Sequence, residues 1–122
     1  MSPFARVYPA LWTRGPGART ICGMSEHTPT GIREFQQLIR DIYFERDNAR
    51  GAEGTFRWFI EEVGELARAM RGTDPDNLVE EFGDVLAWLV SMASILGVDM
   101  EQAAAKYARG CPKCGATPCA CA

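Results

Sequence analysis

Apolar residues return every three or four positions in four stretches of the chain, and glycine, proline and aspartate fall between the stretches. Ile32, Phe35, Leu38, Ile39, Ile42 and Tyr43 predict a first helix with Thr30 as N-cap and Glu34 in its first turn, ending near Asn48 and no later than Gly51. A second helix is expected from about Thr55 to Gly72, with Phe59, Val63, Leu66 and Met70 as its core stripe. Gly64 and Ala67 on it are small enough for a partner helix to approach closely. Thr73-Asp74-Pro75-Asp76 reads as a turn, with Asp74 capping a third helix and Pro75 at its first position. That helix spans roughly 75–96, turns Leu78, Phe82, Val85, Leu86, Leu89, Met92 and Leu96 inward, and stops at Gly97. Asp99 then caps an alanine-rich last helix reaching Tyr107 or Arg109.

No stretch alternates as a strand does, so the fold class is all-α, a bundle of four helices. With so few large apolar residues the core is thin, and stacking against a second copy, as a homodimer or homotetramer, is the expected remedy. Residues 1–30 hold Pro3, Pro9, Pro16 and Pro29 and no apolar stripe, and read as a disordered extension. Arg6, Arg14 and Arg19 without an acid through residue 25 resemble the composition of an organelle transit peptide. Plain disorder, or translation beginning at Met24, is the favoured reading. The expected division is thus 1–30 extension, 31–109 helical domain and 110–122 cysteine-rich tail.

Charge changes the picture little. The formal net charge is −3 and no basic run of five residues occurs, so nothing points to nucleic acid. The longest apolar helix is broken by Glu80, Glu81 and Asp84, which excludes a membrane span there. The start of the chain lacks the sustained apolar core of a signal peptide, and a reducing cytoplasm is the expected compartment.

Candidate chemistry sits in two acidic clusters, Glu61-Glu62-Val63-Gly64-Glu65 and Glu80-Glu81-Phe82-Gly83-Asp84. Glu62 and Glu65 share one face of the second helix, and Glu81 and Asp84 one face of the third, because residues three apart on a helix are neighbours. An antiparallel hairpin of these helices brings four carboxylates to one spot, where mutual repulsion calls for a cation. A solvated acidic face is the plainer alternative. Against it, both clusters flank core stripes, and the third helix carries no lysine or arginine. The one histidine, His27, precedes the helices, so a Glu-x-x-His di-iron site is disfavoured, and zinc prefers nitrogen and sulfur. All-oxygen ligation fits Mg²⁺, with Mn²⁺ as substitute, and carboxylate-held Mg²⁺ commonly completes its shell with substrate phosphate.

Glu61-Glu62-x-x-Glu65 followed by Glu81-x-x-Asp84 resembles the EExxE…ExxD signature of the MazG-like all-α nucleoside triphosphate pyrophosphohydrolases. The likeness runs over about residues 31–109 and includes Trp58 and Gly83-Asp84-Val85-Leu86. It implies hydrolysis of a nucleoside triphosphate between the α- and β-phosphates, with Glu62, Glu65, Glu81 and Asp84 on the metal and Glu61 orienting or deprotonating the attacking water. Phosphate-clamping cations would come from Arg46, Arg50, Lys106 and Arg109, each alternatively a solvated charge, and Trp58 could stack on the base. Trp88, at helical spacing on the third helix, reads as core. Relatives acting on phosphoribosyl-ATP share the metal motif, so that substrate stays open. So does a non-catalytic helical interaction module.

Five cysteines are an odd number, and Cys111-Pro-Lys-Cys114 with Cys119-Ala-Cys121 crowd into the last twelve residues. Four thiolates suffice for a structural Zn²⁺, although the loop between the halves is short; a disordered tail with incidental thiols is the alternative.

Overall fold

The computed structural model describes residues 29–122, so the expectations for the extension and for Met24 lie outside the described residues. Four α-helices follow in order: α1 (Ile32–Arg50), α2 (Ala52–Ala69), α3 (Pro75–Ile95) and the short α4 (Met100–Ala104), continued by a 3₁₀ turn at Ala105–Tyr107. The described residues contain no strand, and the architecture is the expected all-α one. α2 and α3 form an antiparallel hairpin, and α1 lies along α3.

The helix ends follow local chemistry. Asp74 accepts from the amides of Asp76 and Asn77 with Pro75 at the first helical position, and Asp99 accepts from Glu101 and Gln102, both as expected. α1 departs from expectation. Its N-cap is Gly31, because Thr30 turns its amide and hydroxyl onto the Glu34 carboxylate at 2.7 and 2.8 Å instead of capping the helix. α2 starts at Ala52 rather than Thr55, one residue after Gly51, whose φ of +86° turns the chain out of α1. α3 ends in a paired turn, with Val98 N–H on the Ala93 carbonyl and Gly97 N–H on that of Ser94; Gly97 takes the required positive φ of +71°.

The core is thinner than the periodicity implied. Ile39, Ala69, Leu78, Val90 and Ala93 are buried, together with polar Asp47, Thr55, Ser91 and Ser94. Of the expected α2 stripe, Val63 and Met70 are exposed. Of the α3 stripe, Phe82, Leu86 and Leu96 are exposed. Gly64 and Ala67 are likewise exposed, and the small buried residue of α2 is Ala69. Periodicity marks every apolar face of a helix, whereas α1 and α2 cover only part of α3. What remains is an uncovered stripe on each arm of the hairpin: Phe56, Ile60 and Val63 on α2, and Val79, Phe82 and Leu86 on α3.

Buried hydrogen bonds tie α1 to α3. The Asp47 carboxylate, 2% exposed, accepts from the Ser91 hydroxyl at 2.6 Å and from the Arg50 guanidinium at 3.0 Å. At the other end of α1, Gln36 donates to the Ser94 hydroxyl and the Val98 carbonyl and accepts from Met100 N–H, which fixes the turn between α3 and α4. The Arg33 pairs with Asp99 and Glu101 are solvent-exposed and add little. Asp47→Ala is expected to cost about 2–4 kcal/mol, since it strands the Ser91 hydroxyl and a partly buried guanidinium. Urea unfolding checks this, and a loss no larger than that of an exposed control such as Asp41→Ala would contradict it.

Candidate metal centre

The hairpin brings the two acidic clusters face to face. Glu62 of α2 and Glu81 and Asp84 of α3 can each offer a carboxylate oxygen within 4.8 Å of the others. Glu62 and Glu81 are half-buried and Asp84 is exposed, so the cluster is open on one side. Glu65, half-buried one turn beyond Glu62, stands outside that tight set, but its charge acts on both Glu62 and Glu81. Glu61 faces solvent.

Electrostatics mark the spot as strained. The Glu62 carboxyl is held above the usual carboxylate range by burial first and the Asp84 charge second, with Glu65 and Glu81 adding to the rise and the Trp88 indole N–H opposing it. Glu81 is raised by burial, then by Glu65, Asp84 and Glu80, with Arg68 the opposing cation. The Oε2 atom of Glu81 is buried without a hydrogen-bond partner. A buried acceptor of that kind, among carboxylates and with no histidine or cysteine beside it among the described residues, suits a hard divalent cation.

One wall of the site is aromatic. Trp58 and Trp88 stack with centroids 6.0 Å apart and planes 11° apart, and the Trp88 indole donates to Glu62 Oε1 at 3.3 Å. Trp88 is therefore half-buried in the wall of the site rather than a core residue. Its place was visible in the spacing, since Glu81, Asp84, Trp88 and Ser91 step along one face of α3. The guanidinium of Arg50 lies 5.2 Å from the Trp88 ring while it pairs with Asp47. Gly54 makes room for it: a Cβ there would meet Arg50 Cγ at 2.7 Å. The buried Asp47–Ser91 bond escaped sequence reasoning, and a serine in the apolar α3 was its one trace.

The remaining candidates fall elsewhere. Arg46 is exposed, over the Tyr43 ring, at the mouth of a cleft of about 360 Å³ between α1 and α3 that reaches Asp84 and Trp88. Lys106 lies in the 3₁₀ turn against Tyr107, and Arg109 follows it; no described contact joins either to the carboxylates. The sulfurs of Cys111, Cys114, Cys119 and Cys121 form a second, separate cluster in which all four lie within 4.8 Å of one another.

With both clusters placed, the comparison with known families is informative. Residues 50–115 match the model of the MazG nucleotide pyrophosphohydrolase domain, more than half of the chain. The chain belongs to the MazG family. The match begins at Arg50 and contains the whole acidic hairpin. No curated protein matches the chain. Family membership carries nucleotide pyrophosphohydrolase chemistry in general and the use of a divalent metal, and the all-α hairpin fits both.

Glu81→Gln is expected to raise the melting temperature of the protein in chelator at neutral pH, because it removes one of several mutually repelling charges. The sign with pH follows. A carboxyl raised in the folded state penalises folding above its folded pKa, and the penalty fades as pH falls through that value. In chelator, the advantage of Glu81→Gln over the wild type should therefore shrink as pH is lowered. Differential scanning calorimetry at a series of pH values measures both effects. A variant less stable than the wild type at every pH would contradict the repulsion.

Proposed function

We propose that this MazG domain hydrolyses a nucleoside triphosphate between the α- and β-phosphates, releasing the monophosphate and pyrophosphate. Its cation would be Mg²⁺, with Mn²⁺ as a substitute. The observation that carries the proposal is the converging set Glu62, Glu81 and Asp84, with the orphaned Glu81 oxygen among them. Glu65, one turn from Glu62, completes the set once side chains adjust. Bound there, the cation would neutralise triphosphate charge and acidify a water.

The protein's own groups do the rest. The Trp88 indole holds Glu62 in place through its hydrogen bond, and Asp47 holds Arg50 beside the indole. Glu61, the exposed sequence neighbour of Glu62, is the proposed acceptor of the water's proton as the water oxygen bonds to the α-phosphorus and pyrophosphate departs. The exposed Trp58 is the proposed platform for the base, with Arg50 against the Trp88 ring on which Trp58 stacks. Arg46, at the mouth of the neighbouring cleft, is a second candidate for phosphate contact. Lys106 and Arg109 would need a partner chain or a movement of α4 to take part. The uncovered stripes of α2 and α3 support a homodimer or homotetramer in which a second copy lies on the hairpin.

Pyrophosphate release from a nucleoside triphosphate panel, with phosphoribosyl-ATP alongside, tests the activity. Release from triphosphates is expected to require Mg²⁺. It should fall by more than about 100-fold in Glu62→Gln and in Asp84→Asn, beyond the loss typical of a supporting contact. Release from phosphoribosyl-ATP alone would transfer the domain to that substrate. Absence of release from every compound would leave a non-catalytic helical module. Analytical ultracentrifugation checks assembly: a dimer or tetramer is expected at micromolar concentration, weakened by Phe82→Glu, and a monomer throughout would contradict it.

A further inference from the structure

The C-terminal tail has an order that its packing does not explain. None of residues 105–122 is buried, so no apolar core holds the last twelve in place. Fixing a backbone costs roughly 1–2 kcal/mol per residue, and something must offset that. Two local bonds shape the first half: Gly115 N–H on the Cys111 carbonyl at 2.7 Å, and Cys111 N–H on the Ala116 carbonyl at 3.0 Å. Gly115 takes a positive φ of +70°, which turns the chain sharply after Cys111-Pro-Lys-Cys114 and brings the second half back over the first. Gly110 closes the base of the loop so tightly that a Cβ would meet Thr117 Oγ1 at 2.7 Å.

The folded loop brings the four sulfurs together. Cys111 Sγ lies 3.7 Å from Cys121 Sγ and 3.4 Å from Cys119 Sγ, and Cys114 Sγ lies 3.9 Å from Cys119 Sγ. These are far longer than a disulfide bond, which is about 2.05 Å. They bracket the edge of a thiolate tetrahedron around zinc, about 3.8 Å for a Zn–S length of about 2.3 Å. Two sulfurs also accept backbone N–H bonds at 3.4 Å, Cys114 from Ala120 and Cys119 from Cys121, as anionic ligands do in closed thiolate sites.

We infer that Cys111, Cys114, Cys119 and Cys121 form a tetrahedral, four-thiolate structural Zn²⁺ site that folds residues 110–122 into a knuckle, separate from the carboxylate centre. All four positions belong to protein sulfur, so the site is closed to substrate and its role is to hold the tail. The carboxylates and the thiolates divide two metals by hardness: oxygen donors for Mg²⁺, sulfur donors for zinc.

Elemental analysis of the full chain, as purified under reducing conditions and after titration with zinc and desalting, tests the inference. The expected result is one zinc per chain, retained in the Glu62→Gln/Asp84→Asn double variant and lost in Cys114→Ser/Cys119→Ser. Hydrogen exchange gives a second readout that does not depend on activity. Amides of residues 111–121 should be protected with zinc and exchange freely once it is chelated, while α2 and α3 stay protected. No zinc after titration, zinc persisting in the cysteine variant, or tail protection indifferent to chelation would each overturn it.

Discussion

Like charge forced together on the α2–α3 hairpin governs this molecule. Glu62, Glu81 and Asp84 converge from two helices joined by a short connection, and Glu65 and Glu80 add to the field. Arg68 opposes it at Glu81. The fold accepts that cost where a merely stable protein would intersperse lysine or hydrophobic residues. Perturbed carboxyls gathered in this way are what the proposed divalent-cation site would require.

The rest of the described structure supports that hairpin. α1 contributes little core, yet its last turn supplies Asp47 and Arg50, and these couple the buried Ser91 of α3 to the Trp88 ring and, through its indole, to Glu62. Hydrogen bonds and one cation–π contact through Ser91, Asp47, Arg50 and Trp88 thus connect all three long helices to Glu62. Gly51 and Gly54 make the coupling sterically workable, the first by turning the chain, the second by admitting the stem of Arg50. Apolar stripes stay open on both arms of the hairpin, and these are the surfaces on which the proposed second copy would lie.

Helix order, the Asp74 and Asp99 caps and the pairing of the acidic clusters were legible because each rests on local chemistry or on simple helical spacing. The core was misread where helical periodicity outruns coverage: Phe82 and Leu86 have the right spacing for an interior, but α1 and α2 leave their face of α3 open. Trp88 was visible on the acidic face, but its role hung on a hydrogen bond to another helix, which spacing cannot show. Asp47 was hidden for the same reason. A helix-end aspartate beside two arginines looks solvated until α3 covers it. Thr30 sits one residue before the actual N-cap, Gly31, and its amide and hydroxyl both donate to the Glu34 carboxylate. The four tail cysteines were legible as a candidate ligand set, and the loop geometry that gathers their sulfurs was not.

On the proposed function, the hairpin carboxylates hold a divalent cation against a triphosphate. The most direct measurement is anomalous diffraction from crystals of the full chain grown with Mn²⁺ and a triphosphate whose α,β-bridge resists hydrolysis. The account predicts a manganese peak among Glu62, Glu81 and Asp84, with phosphate oxygens completing its shell. Carboxylates paired instead with arginine or lysine of a neighbouring chain, and no manganese between them, would contradict it.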